Sequence, residues 1–237
     1  MKHLKVICKA MLLSMLLGLT VKMVLKTSEK QSGTLKDLSN TLTTKMGNLS
    51  KANLDYILKW EGGLSKHPRD SAARHPVPDG SGYHTNKGIT WRVFRSLYGN
   101  SEQAIARFYR MTHDDFRGIY KLYWNGVKAD SVNSQVIAEY MADFAWGSGV
   151  AGASRQIQKW LNTQGYQVGV DGKIGNQTLT AINNLIEDKG EKIAFESLDA
   201  HRRHFLSRLR DFDVFGRGWY NRLNDFVAYA YSVINEA

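Results

Sequence analysis

Leu54-Asp55-Tyr56-Ile57-Leu58-Lys59-Trp60-Glu61-Gly62-Gly63 is the stretch on which the fold turns. Leu54, Ile57 and Leu58 fall three and four residues apart, the spacing of one apolar helix face, and Trp60 extends the run. Two glycines then stop the helix and let backbone or ligand come close. The segment therefore reads as a short amphipathic helix that ends on a carboxylate, Glu61. A second polar stretch follows at Tyr83-His84-Thr85-Asn86-Lys87-Gly88-Ile89-Thr90, a glycine turn that leads into Trp91-Arg92-Val93-Phe94.

Downstream of these two stretches the pattern is helical almost throughout. Thr112 with Asp114 and Asp115 has the form of an N-cap and an acidic first turn, and Phe116, Ile119, Tyr120 and Tyr123 repeat behind it at helical spacing. Ser134 caps a second helix with Val136, Ile137, Tyr140, Met141 and Phe144 on its apolar face, broken at Ser148-Gly149. A third carries Ile157, Trp160 and Leu161. These stripes are core positions rather than cofactor contacts. Gly165 to Thr178 is dense in glycine and turn pairs and predicts a compact loop or short hairpin, ahead of a helix through Leu179, Ile182 and Ile186. Two longer helices close the chain, one from Ile193 to about Leu209 and one from Trp219 through Leu223, Phe226, Val227 and Ala230. The expected fold class is all-α.

The chain has 237 residues and is 43% hydrophobic, enough for one substantial core. Its net charge of +10 raises the question of nucleic acid, so the place of the charge matters. Residues 1–51 hold nine lysines against Glu29 and Asp37, a net +7, which leaves the body only weakly basic. Without a helix-turn-helix or zinc-finger pattern, nucleic acid is not an expected partner. The single cysteine, Cys8, lies in the N-terminal apolar run, so the body forms no disulfide of its own.

Lys2, His3 and Lys5 precede an uncharged run from Ala10 to Val21, the layout of an export signal. The run is short for a membrane span, which needs about 20 residues. Residues 1–26 are thus expected to be a signal peptide or signal anchor, forming an apolar leader helix. Residues 27–50 are Ser, Thr, Asn and Lys rich and read as a polar linker. The body is expected from about residue 51, delivered to the periplasm or held at the inner membrane facing it, as a monomer.

A carboxyl at the edge of an open, glycine-lined cleft suits the proton donor of a sugar-cleaving enzyme. Asp70, nine residues after Glu61, is a candidate second carboxylate; its alternative reading is a turn cap. His67, His75 and His84 share the intervening loop, but no metal-ligand spacing occurs and neither metal nor cofactor is expected. No Gly-x-Ser-x-Gly elbow or phosphate-binding Gly-Lys-Ser/Thr appears.

Taken in order, these motifs resemble glycoside hydrolase family 108 muramidases. Trp60-Glu61-Gly62-Gly63 and Thr85-Asn86-Lys87-Gly88-Ile89-Thr90 are similar to the family's opening. Tyr123-Trp124-Asn125 with Ala129-Asp130 is similar to its next block, and Ala142-Asp143-Phe144-Ala145 with Ser148-Gly149 to its helix end. Val170 to Leu179 resembles its predicted peptidoglycan-binding segment, and Phe215-Gly216-Arg217-Gly218-Trp219-Tyr220-Asn221-Arg222 its terminal motif. The loop between Gly63 and Thr85 is longer than usual, and Gly147 stands where the family commonly has Asn.

The resemblance implies a lysozyme-like α fold, with residues 51–147 catalytic and residues 148–237 a peptidoglycan-binding segment packed on them. It implies cleavage between N-acetylmuramic acid and N-acetylglucosamine, with Glu61 as the general acid. Thr85 and Asp70 are candidates to orient water or stabilise the transition state. Tyr83, Asn86 and Trp91 are candidates to line the sugar cleft. Asp143, on an apolar helix face, reads as structural and internally hydrogen-bonded. The alternatives are a wall-binding protein without turnover, and a chitinase- or chitosanase-type glycosidase on the same fold.

Overall fold

The computed structural model describes residues 46–68 and 70–235, and these form one compact, mainly helical body. The leader expected over residues 1–26, and most of the linker expected after it, lie outside the described residues. Among those described, no helix is long and apolar enough to cross a membrane.

The linker reading of 27–50 extends too far at its C-terminal end. Gly47 is buried and donates its backbone N–H to Val132 O, and an added Cβ there would fall 2.2 Å from Ala129 O. Asn48 exchanges hydrogen bonds with the Gln135 side chain and accepts from Ser50 N. At Gly47 it is the missing side chain that lets the backbone come this close to Ala129 and Ala138.

Helix α1 (Leu54–Trp60) is capped by the Asn53 side chain, which accepts from Tyr56 N, and it buries Leu54, Tyr56 and Ile57. A hairpin of β1 (Thr85–Asn86) and β2 (Ile89–Thr90) pairs Thr85 with Thr90 and Asn86 with Ile89. Its two turn residues, Lys87 and Gly88, both have positive φ, the backbone of a tight type I′ turn. Lys87 is an unusual residue there, and its ammonium is tied down by Met111 O at 2.7 Å. Helices α2 (Trp91–Tyr98) and α3 (Glu102–Tyr109) follow and enclose a stack of Trp91, Phe94 and Phe108.

Helix α4 (His113–Gly126) has the N-cap at Thr112 and the acidic first turn expected, and Asp115 closes a capping box with Thr112. Helix α5 (Gln135–Ser148) is the centre of the molecule: Val136 to Ala145 are all buried. Its Ser134 cap and its stop at Gly149 are those expected. Between α4 and α5, Trp124 donates its indole N–H to Asp130 at 2.7 Å, so the Tyr123-Trp124-Asn125 and Ala129-Asp130 motif is a packing lock. Helix α6 (Val150–Thr163) packs back along α5, and α7 (Asn176–Lys189), α8 (Glu191–Ser207) and α9 (Phe212–Asn235) complete the body.

Of the two forms expected for the glycine-rich segment before α7, a compact loop or a short hairpin, the structure has the loop; the described two-stranded sheet is at Thr85–Thr90. Side-chain amides from α6 hold the segment. Gln158 donates to Asp171 Oδ1 and Lys173 O and accepts from Gly172 N, while Asn162 pairs with both backbone groups of Val168. These amides satisfy the polar backbone that a strand partner would otherwise meet. The last helix starts at Phe212, not near Trp219, because Gly216 is a packing contact inside the helix rather than a break. A Cβ on Gly216 would lie 2.6 Å from the Phe212 ring.

Candidate active site

Glu61 is the C-cap of α1, and its backbone turns from helical to extended there, which aims the side chain back toward the body. Gly62 and Gly63 are exposed beyond it. The carboxylate is largely covered, and its Oε1 accepts two hydrogen bonds of 2.7 Å, from Trp146 Nε1 and Arg222 Nη1. Trp146 reaches it from the last turn of α5, its ring packed on Phe116, Tyr120 and Tyr123. The other carboxylate oxygen, Oε2, lies against Gly88: a Cβ on that residue would stand 2.0 Å from it. The hairpin glycine therefore serves both the turn and the site.

Behind Glu61 lies a buried ionic network. Arg222 of α9 spreads its guanidinium between Glu61 and Asp143 of α5, giving Nη1 to Glu61 and Nη2 and Nε to Asp143 Oδ1 at 2.5 and 3.2 Å. Arg202 of α8 binds the other Asp143 oxygen at 2.8 Å. Asp143 is thus structural and internally bonded, as expected, and its partners are two arginines. Burial, the largest influence on Asp143, pushes its carboxyl up, but Arg222 and Arg202 more than offset that and hold it below the usual carboxylate range. The same pairing raises both arginines above their ordinary value despite burial, which works in the opposite direction. Two carboxylates and two guanidinium groups balance, the condition for keeping such charges out of water.

Beside this network opens a cleft of about 310 Å³. It is lined by Glu61, Gly88 and the Trp146-Gly147-Ser148 segment together with Arg202, Leu206, Leu209, Trp219, Arg222 and Leu223. Gly147 leaves open space on the cleft side, with only Arg202 Nη2 near, at 3.9 Å from where a Cβ would be.

The remaining candidates fall in different places. Thr85 is in the hairpin that brings Gly88 to Glu61, and its hydroxyl lies 2.9 Å from His84 Nδ1. His84 is fully buried; its Nε2 faces His67 O at 3.2 Å and so carries the hydrogen. Nδ1 is left to the Thr85 hydroxyl. Asp70 is the N-cap of a short 3₁₀ turn (Ser71–Arg74), accepting from Ala72 N at 2.9 Å, and its other oxygen is 3.8 Å from His84 Nδ1. Asp70, His84 and Thr85 are therefore neighbours.

Tyr83 is half-buried, edge-on to Tyr109 with Lys66 over its ring. Two cleft candidates are core residues instead. Trp91 has no exposed surface and stacks on Phe94, because it is the first residue of α2 and faces inward. Asn86 is buried and donates its amide to Phe108 O at 2.6 Å, which ties the hairpin to α3.

Sequence reasoning missed Trp146 and Arg202 and had Trp219 and Arg222 only as members of the terminal motif. Arg202 carried a readable signal: with Leu198, Phe205 and Leu206 it occupies the apolar face of its helix. A charge at such a position is tolerated only with a buried partner.

Residues 54–149 match the family described as Glycosyl hydrolase 108, and residues 152–224 match the Predicted Peptidoglycan domain. Among solved structures the chain is similar to SagA of Brucella abortus, at 28% identity and a TM-score of 0.59, over 78% of this chain and 94% of that one. No curated protein matches it. Glu61 and Trp146 come from the first matched stretch, and Arg202 and Arg222 from the second, so both contribute to one cleft. The chain is a peptidoglycan hydrolase that belongs to glycosyl hydrolase family 108.

Proposed function

We propose that the protein is a lysozyme-like N-acetylmuramidase that cleaves the glycan strand between N-acetylmuramic acid and N-acetylglucosamine, with Glu61 as general acid. The observation that carries this reading is the Glu61 carboxylate, fixed through Oε1 and lying on the wall of a cleft that both matched stretches build. A fixed carboxyl beside an open cleft meets the geometric requirement for protonating a leaving glycosidic oxygen. The apolar faces of Trp146 and Trp219 suit sugar rings, while the backbone and hydroxyl of Ser148 offer hydrogen-bonding groups.

Thr85, held by His84, is the proposed water-positioning group, and Asp70 acts on it through the same histidine. The basic start and apolar run of the leader support export, with the body working on the wall from the periplasmic side.

Digestion of purified sacculi followed by mass spectrometry of the fragments tests the reading. Fragments ending in reducing N-acetylmuramic acid are the expected product. Reducing N-acetylglucosamine ends, or binding to sacculi with no soluble product, would exclude it in favour of another glycosidase or a wall-binding protein.

A further inference from the structure

The two oxygens of Glu61 sit in different surroundings. Oε1 accepts from Trp146 Nε1 and from Arg222 Nη1, whereas Oε2 lies against the bare Cα of Gly88 at the cleft wall. A carboxylic acid accepts mainly through its carbonyl oxygen and donates from its hydroxyl. Two donors on Oε1 therefore make it the carbonyl oxygen of the acid form, and the transferable proton belongs on Oε2.

We infer that Arg222 is a positioning residue for the acid: together with Trp146 it holds Oε1 and presents the protonated Oε2 to the cleft beside Gly88. The inference rests on the reading of Glu61 as proton donor. In the step it serves, the proton leaves Oε2 for the glycosidic oxygen as the bond from that oxygen to the anomeric carbon breaks. Water supplies a hydroxyl to the carbon, and its remaining proton restores the acid.

Arg222 can do this because its own place is fixed. Nη2 and Nε grip Asp143, which Arg202 holds from the other side, so Nη1 is left aimed at Glu61. A planar fork is required; a lysine ammonium keeps the charge but cannot span both carboxylates in that geometry. The stretch matched to the peptidoglycan domain therefore sets the geometry of the acid and is more than a wall attachment.

The charged and titratable groups facing Glu61 come from several elements. Arg222 comes from α9, with Asp143 of α5 and Arg202 of α8 behind it. Tyr123 faces it from α4, its hydroxyl raised by burial first and by the Glu61 charge second. The hairpin brings Lys87, whose ammonium is turned to Met111 O.

The test compares Arg222→Gln, Arg222→Lys, Trp146→Phe and Glu61→Gln in the full chain, with kcat, KM and pH profile measured on solubilised glycan strands. Circular dichroism reports folding. Arg222→Gln is expected to lower kcat at least about tenfold with KM within about threefold, the signature of lost transition-state geometry. Its alkaline limb should move to higher pH, because a cation beside the acid is gone. Arg222→Lys should restore the limb but not kcat. Trp146→Phe, which removes the neutral donor and part of a ring that lines the cleft, should lower kcat with the limb unmoved, whatever it does to KM.

Wild-type kcat in folded Arg222→Gln, or a loss confined to KM, would overturn the inference. If Arg222→Gln does not fold, wild-type kcat in both Arg222→Lys and Trp146→Phe would overturn it equally. An inactive Glu61→Gln beside a fully active Arg222→Gln removes this inference alone, whereas an active Glu61→Gln removes the underlying reading of Glu61.

Discussion

Arg222 Nη1 donates to Glu61 Oε1 at 2.7 Å across 161 residues of chain. No local preference brings these two residues together. The contact exists because α9 packs on α5 and α8, and side chains of α1 are tied to α9. Tyr56 of α1 donates its hydroxyl to Arg222 O, and Lys59 of α1 pairs with Asp225. Tyr56 also meets Phe226 edge-on at 5.1 Å. The acid at the end of α1 is therefore assembled only when the last helix is in place.

Glu61→Gln tests the acid most directly. The amide keeps the shape, and its oxygen still accepts from Trp146 and Arg222, so the fold should survive. Loss of the transferable proton should reduce turnover by about 10²–10⁴-fold. A zymogram on sacculi with a thermal melt of the same preparation checks both halves. Near-normal clearing by a folded variant would exclude Glu61 as the donor.

Gly88→Ala tests the neighbour of Oε2. Gly88 has φ of +72°, and the added methyl carbon would lie 2.0 Å from Oε2, so the carboxyl or the hairpin has to move. The backbone strain alone is of order 1 kcal/mol. Turnover should fall at least about tenfold, since an ångström of misplacement at a reacting group is felt strongly. Alanine at an exposed glycine with room around it, such as Gly62, provides the comparison and should leave turnover within about twofold of wild type on the same footing. Equal activity in the two variants would show that the Oε2 contact is unimportant.

The sequence made the helical scaffold legible because the apolar spacing at Phe116-Ile119-Tyr120 and Val136-Ile137-Tyr140 is strong and the caps Thr112 and Ser134 are unambiguous. It also drew attention to Glu61, Gly88 and Arg222, all within quoted motifs. It could not separate Trp91 and Asn86, which are buried, from true cleft walls, since aromatic and amide side chains suit both roles. The Arg222 fork stayed hidden for a different reason. Pairings across the whole chain leave no periodic signature, and glycines inside α9 mimic a break when only local propensity is weighed.

Asp70 separates two roles by two substitutions. Its side chain caps the turn at Ala72 N, a role that asparagine can fill, so Asp70→Asn changes charge while keeping the cap. If the carboxylate acts through His84 on Thr85, turnover of Asp70→Asn should fall at least about tenfold at unchanged melting temperature. Asp70→Ala should in addition lose about 0.5–2 kcal/mol of stability as the cap disappears. Full turnover in Asp70→Asn would leave Asp70 a cap and remove it from the catalytic scheme.

Asp143 gives the clearest dependence of stability on pH. Two arginines hold its folded-state carboxyl below the usual range although burial, the largest influence, pushes it upward. An unfolded aspartate titrates near about 3.9. A depressed folded value means that the stabilisation is fully present above that pH and is lost as pH falls through the folded value. Asp143→Asn removes the charge at every pH and leaves Arg202 without its buried carboxylate, at a cost of about 3–5 kcal/mol by analogy with broken buried pairs. The variant should therefore melt well below wild type at neutral pH. Thermal melts from neutral down to about pH 2 should show the gap narrowing below about pH 4, since acid takes from wild type what the substitution has already removed. A gap of constant size over that whole range would mean that the Asp143 carboxylate contributes nothing through its charge, and that α5, α8 and α9 are held together by packing alone.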